Sequence, residues 1–301
     1  YSPDSSSGRL GLLEMRSLDM PPHRQMSMVQ MLLIRTLVSW FWEKPYEHQL
    51  VRWGTQLYDK HLLPHFCLQD MNEVVADLQA AGYPFQLQWL DPFFEFRFPR
   101  YGTVQIRDIH LEVRMAIEPW HVLGEEMSST GTARFVDSSL ERVQVKITGL
   151  NDARYILLCN GCKVPLVATG TKGTYVAGIR YRAWQPPSAL HPTIGIDAPL
   201  VFDLVDSWKN QVIGGCTYHV SHPGGRSYDA FPVNALEAES RRINRFRETD
   251  YTPGTIEYRP VRNRLTAFNE NSIDPDNSIS YRTLVENPEF PYTLDLRWAE
   301  K

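Results

Sequence analysis

The chain has 301 residues, 43% of them hydrophobic and 22% charged, the composition of an ordinary globular protein rather than a disordered or fibrous one. A net charge of −4 leaves no broad basic surface, so neither nucleic acid nor an anionic membrane is an expected partner, and small or peptide-like ligands fit better. The longest apolar stretch, from Met26 to Trp42, is interrupted by Gln30, Arg35, Thr36 and Ser39 and falls short of the roughly 20 apolar residues of a membrane span. Four cysteines are too few for a disulfide scaffold, and reduced thiols in a cytoplasmic protein are expected. Tyr1 to Gly8 carry no signal-peptide pattern and the chain does not begin with Met, which reads as a piece of a larger protein.

In chain order, Leu10 to Leu18 reads as a strand, after which Pro21 and Pro22 suit the first turn of a helix to about Trp42. The apolar positions of that helix cover most of its circumference, as in a helix buried between other elements. A second helix is expected from Glu47 to Lys60 and a third from Asp70, with Glu73 completing a capping box and Gly82 as the stop. From Tyr83 the period changes to two: Phe94, Phe96 and Phe98 alternate with Glu95 and Arg97, and Ile109 to Met115 alternates likewise.

After about Gly124 the spacing predicts short strands at Arg142 to Thr148, Arg154 to Leu158, Thr174 to Trp184, Leu200 to Trp208 and Val212 to Val220. One helix is expected after Asn234, with Glu237 capping and pairing Arg241. Asn269 to Asn277 reads as loop, and Thr293 to Ala299 as a last strand. The fold class expected is α+β: a front segment, 1–124, of helices packed on an antiparallel sheet, then a mostly antiparallel β-sandwich, 125–301.

Three predicted strands place a carboxylate and a guanidinium two residues apart, hence on one face: Glu14 with Arg16, Glu95 with Arg97, and Glu112 with Arg114. Were these strands neighbours, the carboxylates could hold a hard cation such as Mg²⁺ while the arginines take phosphate or carboxylate oxygens. The bland alternative is cross-strand ion pairing on a solvated face. Tyr218 to Arg226 ends a strand in a Gly-rich turn, where backbone amides and Arg226 could bind an anion. Cys159, Cys162, Cys216 and His219 have the spacing of a zinc site. Asn160-Gly161 between the first two is also a hairpin signal, which favours plain structural cysteines.

The chain resembles the C-terminal part of the amidoligase-type domain, itself of unknown function, that follows transglutaminase-like domains in some bacterial proteins. The stretches that carry the resemblance are Tyr1-Ser2-Pro3-Asp4 through Gly11-Leu12-Leu13-Glu14-Met15-Arg16, Met20-Pro21-Pro22-His23, Leu50-Val51-Arg52-Trp53-Gly54-Thr55, and Gly214 to Arg226 with Phe231-Pro232-Val233-Asn234-Ala235. It implies a partial glutamine synthetase-like fold and ATP-dependent amide bond formation on a small-molecule or peptide carboxylate, glutamate-like in character, with ATP and Mg²⁺ as cofactors. It implies Glu14 and Glu112 as metal ligands with Glu95 behind them, Arg16, Arg97 and Arg114 on phosphate or substrate carboxylate, and Arg226 as an anion contact. An upstream transglutaminase-like domain in the parent chain is the implied partner, and the fragment is expected to be an incomplete catalytic module, inactive alone. The alternative is a non-catalytic β-sandwich that docks substrate for that upstream domain.

Overall fold

The computed structural model describes residues 5–8, 14–16, 18–118, 125–128, 131–134, 139–184, 195–255 and 287–299. Contacts divide the chain into two compact units, 1–48 with 72–93, and 49–71 with 94–301. The expected loop at Asn269 to Asn277 lies outside the described residues.

In the first unit, helix α1 (Arg24–Glu43) starts after Pro21 and Pro22, with the His23 imidazole accepting from the Gln25 amide at its N-terminus. Only Met26 and Thr36 of α1 are buried, so the expectation of a helix enclosed on all sides is corrected. The end of helix α3 (Pro64–Ala80) lies in this unit, where Val75 and Leu78 are buried, and Gly82 in the left-handed region stops it. Tyr83 ties this stop to α1 by a hydroxyl hydrogen bond to Ser39 at 3.0 Å.

The second unit is a β-sandwich with a helical cover. Its first sheet runs in the order β1 (Arg100–Ile106), β2 (Ile109–Ala116), β5 (Leu140–Thr148), β9 (Tyr175–Arg182) and β13 (Thr293–Asp295), with the short β8 (Val167–Ala168) also beside β9. All pairings are antiparallel except β13 with β9. The second sheet runs β12 (Phe246–Arg247), β11 (Gln211–Tyr218), β10 (Leu200–Asp206), β6 (Tyr155–Cys159) and β7 (Cys162–Lys163), antiparallel throughout. A separate hairpin joins β3 (Glu125–Ser128) to β4 (Gly131–Arg134). Val104, Val113, Val145 and Ile179 from one sheet meet Leu157, Phe202 and Cys216 from the other in a single apolar core. A side chain at Gly102 would fall 2.2 Å from the Phe246 ring, so glycine lets β1 lie against β12. The first sheet draws strands from both sides of residue 124.

The class is α+β, as the residue patterns indicate. Strands β2, β5, β6, β9, β10 and β11 fall where alternation predicts them, and Asn160-Gly161 closes the β6–β7 hairpin with both residues at positive φ. Helix α5 (Ala235–Ile243) carries the expected cap: Asn234 accepts from the Glu237 amide and Glu237 accepts from the Val233 amide, at 2.9 and 2.8 Å.

Five expectations are corrected. The second helix shrinks to α2 (Gln56–Asp59). The third begins at Pro64, because proline's missing amide is tolerated in a first turn, and the Asp70–Glu73 pair lies inside it. Phe94 to Phe98 is not a strand; Asp91 and Pro92 open helix α4 (Asp91–Arg97), and Phe94 and Phe98 meet one turn apart with ring centroids 6.0 Å from each other. Glu14 to Arg16 is not strand either, and most of the rest of that predicted strand lies outside the described residues. At the end of the chain, β13 gives way to a 3-10 turn over Leu296–Trp298.

Candidate functional site

Alternation sends Val113, Val145 and Ile179 into the core and the intervening residues of β2, β5 and β9 to the outer face of the first sheet. Across that face Glu112 stands beside Lys146, Arg114 beside Gln144, Ala116 beside Arg142, and Arg142 beside Arg180. The segment ending in α2 and the start of α3 covers part of this face, with Leu63 and Phe66 packed on Ala116 and Val176.

Under that cover Arg142 is wholly buried. Its guanidinium donates to the Tyr58 carbonyl at 2.9 Å, to the carbonyl and carboxylate of Asp59, and to the Thr293 hydroxyl. Thr293 donates in turn to Asp59, whose second oxygen accepts the Tyr292 amide at 2.9 Å. Among the described residues Nε of Arg142 has no acceptor. Burial pulls the Arg142 pKa down to about 10 in spite of Asp59. Next to it, Arg180 donates to Glu118 at 2.8 Å and lies 3.6 Å from Asp295.

The opposite end of the face is wetter. Arg114 donates to Glu112 at 2.9 Å, to Glu95 at 3.3 Å and to the Phe98 carbonyl at 3.2 Å, tying α4 to β2. Burial lowers the Arg114 pKa, but the hydrogen bonds and charges of Glu112 and then Glu95 outweigh it and the net shift is upward. Beside this cluster Lys146 is half-buried and, among the described residues, forms no ion pair. His65, in the first turn of α3, donates its amide to Gln144 at 2.9 Å, and burial followed by the Lys146 charge lowers its imidazole pKa.

Of the predicted site residues, then, the structure brings together Glu95, Glu112 and Arg114. Arg97 is exposed at the end of α4. Glu14 and Arg16 lie in the other unit, paired with each other at 3.1 Å. The picture of three Glu-x-Arg strands is corrected, because only Glu112 and Arg114 are on a strand.

A family model described as "Putative amidoligase enzyme" matches residues 1–297. The chain belongs to this amidoligase family. No curated protein and no solved structure matches it.

For an amidoligase-family chain, the donor chemistry of the described residues is informative. Among them no group of three or more His, Cys, Asp or Glu side chains is placed to hold a metal ion. Both oxygens of Glu112, one of the carboxylates predicted as Mg²⁺ ligands, face Arg114, at 2.9 and 3.3 Å. Arg226 is exposed, and in its turn His222 takes the Gly224 amide on Nδ1 and the Gly225 amide on its carbonyl, so these two amides do not point at an anion. The cysteines form no disulfide among the described residues, and burial pushes up the pKa of Cys159 and Cys216, which makes them inert core residues.

Lys146 and His65 were missed in the sequence. The polar members of β5, Arg142, Gln144 and Lys146, alternate as clearly as Glu112 and Arg114 do, and that signal could have found Lys146. His65 becomes visible only once α3 is seen to begin at Pro64.

Proposed function

We propose that this amidoligase-family chain takes part in ATP-dependent joining of a carboxylate to an amine, with a glutamate-like or peptide carboxylate as substrate. The observation that carries the reading is the family match over residues 1–297. In the reaction, a carboxylate oxygen attacks the γ-phosphorus of ATP and ADP leaves. The amine nitrogen then attacks the acyl carbon, the acyl–oxygen bond breaks, phosphate departs and the amine proton passes to a base. The Lys146 ammonium is suited to neutralise the phosphorylated carboxylate, standing beside Glu112 on the exposed side of the network. His65, held neutral at pH 7 by its lowered pKa, is suited to take the amine proton. Arg114 acts by keeping Glu112 and Glu95 in place.

Glu14, Arg16, Arg97 and Arg226 are carried as candidates for nucleotide or substrate contact in the parent protein, where an upstream transglutaminase-like domain is the proposed partner. Magnesium is proposed together with ATP, held by one or two carboxylates and the nucleotide phosphates. Cysteines without a disulfide among the described residues fit a reducing cytoplasmic setting. Among the described residues no helix is long and apolar enough to cross a membrane.

The test is hydroxamate formation from hydroxylamine, with phosphate release followed in parallel, in the parent protein given ATP and a panel of glutamyl and dipeptide carboxylates. ATP-dependent hydroxamate is the expected result. Neither product from a folded parent would refute the ligase.

A further inference from the structure

Helix α1 is apolar around most of its circumference, yet only Met26 and Thr36 of it are buried. Six other positions, Arg24, Met28, Met31, Arg35, Val38 and Trp42, follow one another at alternating steps of four and three residues, and all six are exposed. Met28 is 69%, Met31 58%, Val38 43% and Trp42 87% exposed. The spacing is that of the a and d positions of a coiled-coil seam, which puts the six on one side of the helix. Four large apolar side chains in line along a helix of about 30 Å make a continuous patch of the kind that receives another protein, not scattered surface residues.

The seam also says what fits it. In two parallel copies each position meets itself, so Arg24 would face Arg24 and Arg35 would face Arg35 in shared layers, which like charges oppose. In two antiparallel copies each a position meets a d position. Trp42 then faces the partner's Arg24, Val38 the partner's Met28, and Arg35 the partner's Met31, each layer being made twice by symmetry. The Trp42 ring can take the guanidinium of Arg24 on its face, and Arg35 can lay its stem on Met31 with its head in water. The two Arg35 positions are then about 6 Å apart along the axis instead of level. Glu43, the last residue of α1, comes beside the start of the partner's helix, where the dipole favours a carboxylate.

We propose that this face of α1 is a self-association surface, on which a second copy of the chain packs its own α1 antiparallel, about a two-fold axis level with Leu33. The contact involves the first unit alone and does not depend on the ligase reading, because association is measured without ATP or substrate.

The experiment is sedimentation equilibrium of the full chain over a range of concentrations, where the wild type should approach twice the mass of one chain. Val38→Lys puts an ammonium against the partner's Met28 and near the partner's Arg24, and should raise the dimer dissociation constant by about tenfold or more. Lysine favours helix more than valine does, so circular dichroism should show α1 intact in that variant. Met31→Glu reads the direction of the seam. Antiparallel packing sets the new carboxylate against the partner's Arg35 and leaves the dimer at least as tight as the wild type, whereas parallel packing sets it against itself and weakens the dimer. A wild type that stays monomeric would overturn the proposal and leave the face to a different occupant. So would a dimer that Val38→Lys does not weaken, or one that Met31→Glu weakens as much as Val38→Lys does.

Discussion

Arg142 and Arg114 sit on one face of one sheet, yet their surroundings differ in kind. Arg142 is sealed under the α2–α3 cover, where among the described residues it meets one carboxylate, a hydroxyl and two carbonyls and its Nε has no acceptor, and its pKa is depressed. Arg114 is 14% exposed and held by two carboxylates, and its pKa is raised. Residue type and strand face are shared, so the difference comes from what covers each end. The covered end fixes the helical segment to the sheet, and the open end leaves Lys146 and His65 beside a charged cluster.

The sharpest way to break this comparison is Asp59→Ala. Removing the carboxylate that pairs with a buried guanidinium is expected to cost about 3–5 kcal/mol in urea unfolding, and a loss below about 1 kcal/mol would mean that the covered end is not dry. Thr293→Val comes next, at about 1–3 kcal/mol for a lost hydroxyl between Arg142 and Asp59. At the open end Glu95→Gln should change stability by no more than about 0.5 kcal/mol, because that carboxylate is 57% exposed and water screens its pair with Arg114.

A pH series extends the comparison to the second sheet. Hydrogen bonds from Arg154, against the effect of burial, lower the pKa of Asp206 below its ordinary 3.8. A carboxyl with a lowered folded-state pKa stabilises the fold fully above the ordinary value, and that contribution fades as pH falls through the folded one. Below pH 3.8 the urea midpoint of the wild type should therefore drop toward that of Asp206→Asn. A gap between the two that stays constant down to pH 2 would contradict the assignment.

Much of the sandwich was legible because half-buried strands write a period of two into the chain, as in Ile109 to Met115 and Arg142 to Thr148. The same rule misread Phe94 to Phe98, where three alternating phenylalanines imitate a strand and the deciding residues, Asp91 and Pro92, come just before. Asp70 and Glu73 look like a helix start and are interior to α3, since a capping pattern has no way to show that a turn already precedes it. At the candidate site, Glu95, Glu112 and Arg114 could be singled out as charges, but their mutual contact needs α4 to fold back on β2. The Asp59–Arg142–Thr293 network links residues 83 and 151 positions apart, and no local pattern encodes such a meeting.

In the proposed reaction the chemistry takes place at the open end of the outer face, at Lys146. The measurement that tests it most directly is ATP-dependent hydroxamate formation by Lys146→Met in the parent protein, alongside its urea midpoint. The account predicts a rate lower by about tenfold or more, for loss of a charged contact in the transition state, at unchanged stability. A wild-type rate in the folded variant would contradict it.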